Sequence, residues 1–364
     1  MISAGGSVNE VYIAGAGLVP MKEKGEDSFA DSVYNAVTGA IRDSGLTAND
    51  IDTVIDAGID LLDGKGISNT ELIAAAGCFL KEEAKVEEDG LTALFYAEKR
   101  IKSGKSRNTL VFGYSKCSCV DMEAYSNAAF DPTLYRRLGF TESLCLALQA
   151  SAAKEKLNID PDALLGALND NAGRNPWMVK KERSNEEIIS PLRERDLPLY
   201  VDGAAALVLT ADRETCPRPV RLLSSWTATD SGNLSLRQPD RLASFEVAVA
   251  KALQKCGLRT EDVDVWELSE PTPYHLSLMV AGASICRAAE LPALVKQGRV
   301  NPSGGACAST ALVACGLYRT AFGAMYARGE ENPFLPGGAK RVCVHGYAGV
   351  GMQTNTIAVL EAAQ

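Results

Sequence analysis

The chain has 364 residues, 46% of them hydrophobic and 23% charged, the make-up of a folded globular protein with room for about two domains. A formal net charge of −9 disfavours nucleic acid or an anionic membrane as the main partner, although a local basic patch could still hold a phosphorylated ligand. There is no apolar run of about 18 residues, so no membrane span is expected. The opening Met1–Gly6 lacks the charged-then-apolar order of a secretory signal, which points to the cytoplasm.

In chain order, Ala40–Val54 reads as a helix end capped at Gly45, a short acidic turn and a strand start. Thr92-Ala93-Leu94 opens a helix that runs to Ser103-Gly104, and a strand ending in Gly113-Tyr114 follows. Residues 115–198 form an elaborated loop region, the usual seat of binding specificity, with a helical stretch near 142–156. Within it, Lys180–Arg183 reads as a solvated helix face rather than a ligand site. Asp202–Leu209 returns to a buried strand of small residues.

The same landmarks then recur. Ala252–Trp266 repeats the first turn with its cap at Gly257, Thr310-Ala311-Leu312 opens a helix to Arg328-Gly329, and Val342–Tyr347 is again a strand ending in Gly-Tyr. Three landmarks in one order imply two similar halves, 1–217 and 218–364. Each is expected to be a mainly parallel sheet covered by helices, with the site where their loops meet.

The most informative segment is Val300-Asn301-Pro302-Ser303-Gly304-Gly305. A proline turn and paired glycines allow close backbone approach, and a small-residue helix is expected to follow. N–H groups at such a helix start can stabilise an anion or a polarised carbonyl. The ten cysteines are scattered and read as small buried hydrophobes of a reducing compartment. With only two histidines and one close pair, Cys117 and Cys119, no metal is expected.

Asn301–Gly305, Asp202-Gly203-Ala204-Ala205, Asn175-Pro176 and His345-Gly346-Tyr347-Ala348-Gly349-Val350-Gly351, with the duplication, resemble the thiolase superfamily. Within it the chain looks most like the sterol-carrier-protein and lipid-transfer-type thiolase-like branch, over essentially its whole length. The resemblance implies a five-layered αβαβα fold of two pseudo-symmetric mixed-sheet halves. It also implies a homodimer or a heterodimer with a thiolase homologue, and a CoA thioester substrate without a covalently bound cofactor.

The chain departs from the family's catalytic pattern. The position of the thiolase nucleophilic cysteine falls at Glu87, and no cysteine lies between Cys78 and Cys117. A carboxylate there cannot form the thioester acyl-enzyme. Ser309-Thr310-Ala311-Leu312 stands where the family's Gly-His-Pro histidine is expected, and Glu270 alone is retained of the Asn-Glu pair. His345 matches an acid/base histidine of the branch, and an imidazole suits proton transfer near neutrality, against a plain structural role. His275, five residues after Glu270, can share the pocket; Tyr274 and Tyr347 are phenol candidates weighed against structural roles.

Two functions follow. The first is a thiolase-like subunit without its nucleophile, serving a hetero-oligomeric acyl-CoA thiolase beside a Cys-containing homologue or a DUF35-type OB-fold/zinc-ribbon protein. The Glu87-Glu88-Asp89 cluster, which would repel an enolate, inclines the reading this way. The second is a retro-aldol lyase on a β-hydroxyacyl-CoA. It would use His345 with backbone donors at Gly304, Gly305, Gly349 and Gly351 near Asn301.

Overall fold

The computed structural model describes residues 10–335 and 337–363. The reading of Met1–Gly6 therefore lies outside the described residues. As far as Thr210 the order is β1 (Tyr12–Leu18), α1 (Phe29–Ser44), β2 (Thr53–Ala57), α2 (Asp60–Asp63), β3 (Glu82–Val86), α3 (Gly90–Lys102) and β4 (Asn108–Lys116). Helices α4 (Met122–Ala129), α5 (Glu142–Lys156) and α6 (Pro161–Arg174), a hairpin of β5 (Glu187–Ile189) and β6 (Leu192–Arg193), and β7 (Asp202–Thr210) follow. Beyond it come β8 (Val220–Thr229), α7 (Ala243–Cys256), β9 (Val265–Glu267), α8 (Pro273–Gly282) and α9 (Leu291–Lys296). The chain ends with α10 (Gly305–Ala308), α11 (Cys315–Ala327), β10 (Arg341–Ala348) and β11 (Thr354–Ala362).

One mixed sheet of nine strands runs β3-β2-β4-β7-β1-β8-β11-β10-β9. Its two ends are built alike. β2 pairs parallel with β4, β4 antiparallel with β7, and β7 antiparallel with β1. In the same sense β9 pairs parallel with β10, β10 antiparallel with β11, and β11 antiparallel with β8. A parallel bridge from Trp266 to Val300 stands where the first end has β3. The ends join through a short antiparallel contact, Tyr12 to Arg221 and Ile13 to Val220.

Helices complete five layers. α1 covers β1 and β7 on one outer side, α7 covers β8 and β11 on the other, and α3 and α11 lie between the two ends of the sheet. Sequence explains the placement: α11, Cys-Gly-Leu-Tyr-Arg-Thr-Ala-Phe-Gly-Ala-Met-Tyr-Ala, is buried all round except for a half-buried Met325, as a helix apolar on every face must be. α1 instead has one buried stripe (Val33, Ala36, Val37, Ala40), begins at a Ser28/Asp31 capping box and stops at left-handed Gly45. Gly257 ends α7 in the same way at φ 70°. Among the described residues no helix is long and apolar enough to cross a membrane.

Two local expectations change. The segment after Gly305 makes only the single turn of α10 and then becomes extended, because Thr310 pairs with the strand-like Leu199–Val201 (Thr310 N–H to Leu199 O, 2.8 Å; Val201 N–H to Thr310 O, 3.0 Å). The long helix starts only at Cys315. Lys180–Arg183 is irregular rather than helical, because Arg183 turns inward to donate to Arg195 O and Cys307 O, each at 3.0 Å.

Candidate active site

A cavity of roughly 720 Å³, including its mouth, opens where the ends of the central helices meet the 115–198 region. Its walls carry Asp89 from the start of α3, Tyr125 from α4, Glu142 from the start of α5, Tyr200, and Tyr347–Val350 at the end of β10. Leu312 and Val313, just past the glycine turn, supply apolar wall. The described lining contains phenols and carboxylates but neither a thiol nor an imidazole.

Asp89 caps α3. Its Oδ1 accepts Leu91 N–H at 2.8 Å and its Oδ2 accepts Gly316 N–H at 2.9 Å, so one carboxylate serves the first turns of both central helices. It fits because Gly346 and Gly316 have no side chain; a Cβ on Gly346 would stand 1.9 Å from Oδ1. Burial pushes this carboxyl up to about 7 against the pull of those N–H groups. Burial likewise pushes Glu142 up to about 7, opposed by the Gly351 N–H and the Arg237 guanidinium. The phenols of Tyr200 and Tyr347 are held well above their ordinary value, first by burial and then by nearby acids that include Glu142.

The residues singled out from sequence fall into separate places. Glu87 is half exposed, pairs with Lys85 at 2.8 Å and accepts Asp60 N–H at 2.9 Å, so Asp89 and not Glu87 reaches the cavity. His345 is fully buried behind the wall: Nδ1 accepts Ser269 N–H at 3.2 Å and Nε2 pairs with Asn355 Oδ1 at 2.9 Å. Burial pulls its pKa down to about 3, so it stays neutral near pH 7. Its ring stacks on Tyr347, with centroids 6.3 Å apart at 17°. His275 is also fully buried and lowered to about 3 by burial, bonded to Thr272 Oγ1 (2.8 Å) and Gln149 Oε1 (3.2 Å).

The glycine turn has an internal anion of its own. Glu270 Oε1 accepts Cys307 N–H at 3.1 Å, and its Oε2 accepts Asn301 Nδ2 at 2.7 Å. Asn301, in the left-handed region at φ 46°, also takes Leu268 N–H on Oδ1 at 2.6 Å. Gly304 lies against α6, where a Cβ would meet Ala172 Cα at 2.6 Å, and Gly305 lies against Glu270. Below, a buried Glu267–Arg319 pair (3.2 Å) holds Ser303, whose N–H and Oγ reach Glu267 at 3.0 and 2.7 Å. The N–H groups of Ser303, Gly304 and Cys307 are therefore taken within the protein. Gly351 N–H goes to Glu142 at 3.0 and 3.1 Å, and Gly349 remains in the cavity wall.

Tyr125, Tyr200 and Glu142 were not singled out as site residues from sequence, and Asp89 was named only as one member of the Glu87-Glu88-Asp89 cluster. Glu142 had the one local signal, its place just after the helix cap Thr141. Tyr200 had none.

Comparison with known proteins agrees with this architecture. No family model matches the chain. Acetyl-CoA acetyltransferase of Methanothermobacter thermautotrophicus is 26% identical over 383 aligned residues, covering 94% of this chain and 97% of that protein. Sterol carrier protein 2 of Oryctolagus cuniculus is 25% identical over 70% of this chain, which spans 54% of that protein's length. The backbone is similar to an Ltp2–ChsH2(DUF35) aldolase, with a TM-score of 0.80, 18% identity, and 97% and 98% of the two chains covered. It is also similar to human mitochondrial 3-ketoacyl-CoA thiolase, with a TM-score of 0.71, 13% identity, and 98% and 100% covered. The fold is the thiolase fold. Sequence relatives and structural neighbours together support the thiolase and sterol-carrier-protein-thiolase-like superfamily.

Proposed function

We propose that the chain cleaves a carbon–carbon bond of a β-hydroxyacyl-CoA thioester by retro-aldol chemistry, without a covalent acyl-enzyme. The observation that carries this reading is the cavity wall, which combines three phenols with carboxylates and has no thiol among its described residues. A retro-aldol step needs a base for the β-hydroxyl and donors for the oxygen of the developing enolate, and no nucleophile. Phenols held protonated by burial serve as such donors, so Tyr347 and Tyr200 face the thioester oxygen in this reading, beside the backbone of Gly349. His345 acts from behind, orienting Tyr347 by its ring stack.

In this proposal the walls come from both halves, 1–217 and 218–364, with acyl specificity set by α4 and the start of α5. The similarity to a DUF35-containing aldolase supports a small OB-fold/zinc-ribbon partner. A second copy or a thiolase homologue would dock at β3, which ends the sheet and follows Phe79 and Leu80, 75% and 91% exposed. A cytoplasmic location belongs to the same reading.

A second reading, a subunit completing a Cys-containing thiolase, is favoured by one observation: the Cys307 N–H at the glycine turn already serves Glu270. The two are separated by incubating the full chain, alone and co-produced with a DUF35-type protein or a thiolase homologue encoded beside it. β-Hydroxyisovaleryl-CoA and longer β-hydroxyacyl-CoAs are supplied, and shortened acyl-CoA is followed by mass spectrometry. Cleavage that needs no Cys-containing homologue is expected. Thiolysis of β-ketoacyl-CoA seen only with that homologue, and no β-hydroxyacyl-CoA cleavage, would establish the second reading.

A further inference from the structure

We propose that Glu142 is the catalytic residue that takes the β-hydroxyl proton in this cavity, an assignment that rests on the carbon–carbon cleavage reading. Elimination along the cavity wall leaves one group. Tyr125, Tyr200 and Tyr347 are all held protonated, first by burial and then by acids nearby, Glu142 among them, so none is a base. Three carboxylates remain: Asp89, Glu123 and Glu142.

Asp89 is committed to the N–H groups of Leu91 and Gly316 and lies under Gly346, 2% exposed. Moving it to meet a substrate would uncap both central helices. Glu123 stands exposed at the rim and accepts the Ser143 hydroxyl at 2.8 Å, where water screens it. Glu142 differs from both. Among the described residues its one hydrogen-bond donor is Gly351 N–H, shared between its two oxygens at 3.1 and 3.0 Å. A carboxylate offers about four acceptor directions, so most of its capacity is left for a substrate hydroxyl.

Its position is also fixed. The Gly351 loop is held by Arg237, which donates to Val350 O at 2.9 Å and to Gly351 O, and by Gln149 Nε2 on Gly351 O at 3.3 Å. Gln149 is in turn paired with His275, which gives that buried histidine a positioning role. The backbone N–H of Glu142 is taken by Ser126 Oγ on α4. A base held in place by its anchors avoids reorganisation during the reaction. Glu123 on α4, Arg237 beneath the Gly351 loop, the buried Cys145 thiol one turn further along α5, and the phenols of Tyr125, Tyr200 and Tyr347 are the titratable and charged groups that face it. Burial among them places its carboxyl near 7, which suits proton transfer at neutral pH.

The step balances without a further reactant. The Glu142 carboxylate takes the β-hydroxyl proton, and the β-carbon becomes a ketone or aldehyde as its bond to the α-carbon breaks. The electron pair passes to the α-carbon and thioester oxygen, where the phenols donate. The proton on Glu142 then returns to the α-carbon, leaving a shortened acyl-CoA.

The test compares wild type and Glu142→Gln in the active assembly with β-hydroxyisovaleryl-CoA, while isovaleryl-CoA, which cannot be cleaved, reports binding. Glu142→Gln is expected to lower kcat by about 10²-fold or more while isovaleryl-CoA still binds as in the wild type. Near-wild-type turnover by Glu142→Gln overturns the assignment alone. If no β-hydroxyacyl-CoA is cleaved even by the wild type, the function reading itself fails, and this assignment with it. Should the variant not fold, wild-type kcat/KM against pH decides: loss of activity below about pH 7 is expected, and a flat profile down to pH ~5 overturns the proposal.

Discussion

Asp89 Oδ2 accepts the backbone N–H of Gly316 at 2.9 Å, so a single carboxylate on α3 also closes the first turn of α11. The two helices that fill the middle layer thus share one cap at the floor of the cavity. Replacing Asp89 by alanine removes the acceptor for both N–H groups at a position only 2% exposed. The expected loss is about 2–4 kcal/mol, read as a lower denaturant midpoint with an unchanged slope. The pH dependence has a definite sign. Because burial raises the folded-state carboxyl to about 7, its contribution is full below the unfolded value and is lost as pH rises toward and through 7. Asp89→Asn carries no such term, so the stability of Asp89→Asn relative to wild type should improve from pH 5 to pH 8. A difference that stays constant over that range would falsify the shift.

The glycine turn predicts a structural rather than chemical phenotype. A Cβ on Gly305 would lie 2.1 Å from Glu270 Oε1, at a φ of 76° that L-residues rarely adopt. Gly305→Ala is therefore expected to cost about 3 kcal/mol or more, through strain and displaced packing together. Glu270→Gln presents an amide where either the Cys307 N–H or the Asn301 amide now donates, setting donor against donor at about 1–3 kcal/mol. Thermal midpoints should fall for both. For whatever fraction of Glu270→Gln folds, kcat should stay near the wild-type value, and a large fall in kcat with an unchanged midpoint would instead make Glu270 a chemical group.

His345 should behave as a neutral imidazole throughout the working range. Its Nδ1 accepts Ser269 N–H at 3.2 Å, and burial moves its pKa down to about 3. Imidazole NMR shifts are expected to stay flat from pH 5 to pH 8. The unfolded chain binds a proton below about 6.5 that the folded chain refuses, so this site loses stability as pH falls from about 6.5 toward 3. A titration midpoint between 6 and 7 in the folded protein would return His345 to the list of acid–base groups.

Much of the architecture could be read locally. The capped turns at Gly45 and Gly257 announce themselves, because an αL glycine after an apolar helix is determined by neighbouring residues. Their repetition pointed to two similar halves, but not to mainly parallel sheets: β4 pairs antiparallel with β7, β7 with β1, and β11 with both β10 and β8. The site was far less legible. Whether the N–H groups after Gly305 are free depends on Glu270, which approaches only when β9 and α8 pack beside the turn, and no spacing rule carries that contact. Asp89 and Glu87 differ by two places, so an ungapped alignment on Thr92 that points to Glu87 could not say which carboxylate faces inward. Tyr125, Glu142, Tyr200 and Tyr347 come from four separate segments and meet only through tertiary packing.

Tyr347 gives the last test of the chemistry. Its phenol lines the cavity and its ring stacks on His345 at 17°, so phenylalanine keeps the stack and removes only the hydroxyl. If that hydroxyl donates to the enolate oxygen, it matters more at the transition state than in the ground state, because charge on the thioester oxygen grows as the carbon–carbon bond opens. Tyr347→Phe should then lower kcat by about 10²–10³-fold with KM little changed, the usual loss for one oxyanion donor. Tyr200→Phe should show the same signature if both phenols face one oxygen, and the double substitution should cost less than the two single losses combined. A rise in KM alone would mean that Tyr347 merely holds the acyl-CoA. Unchanged kcat and KM would remove Tyr347 from the reaction and leave the enolate oxygen to Tyr200 and the backbone of Gly349.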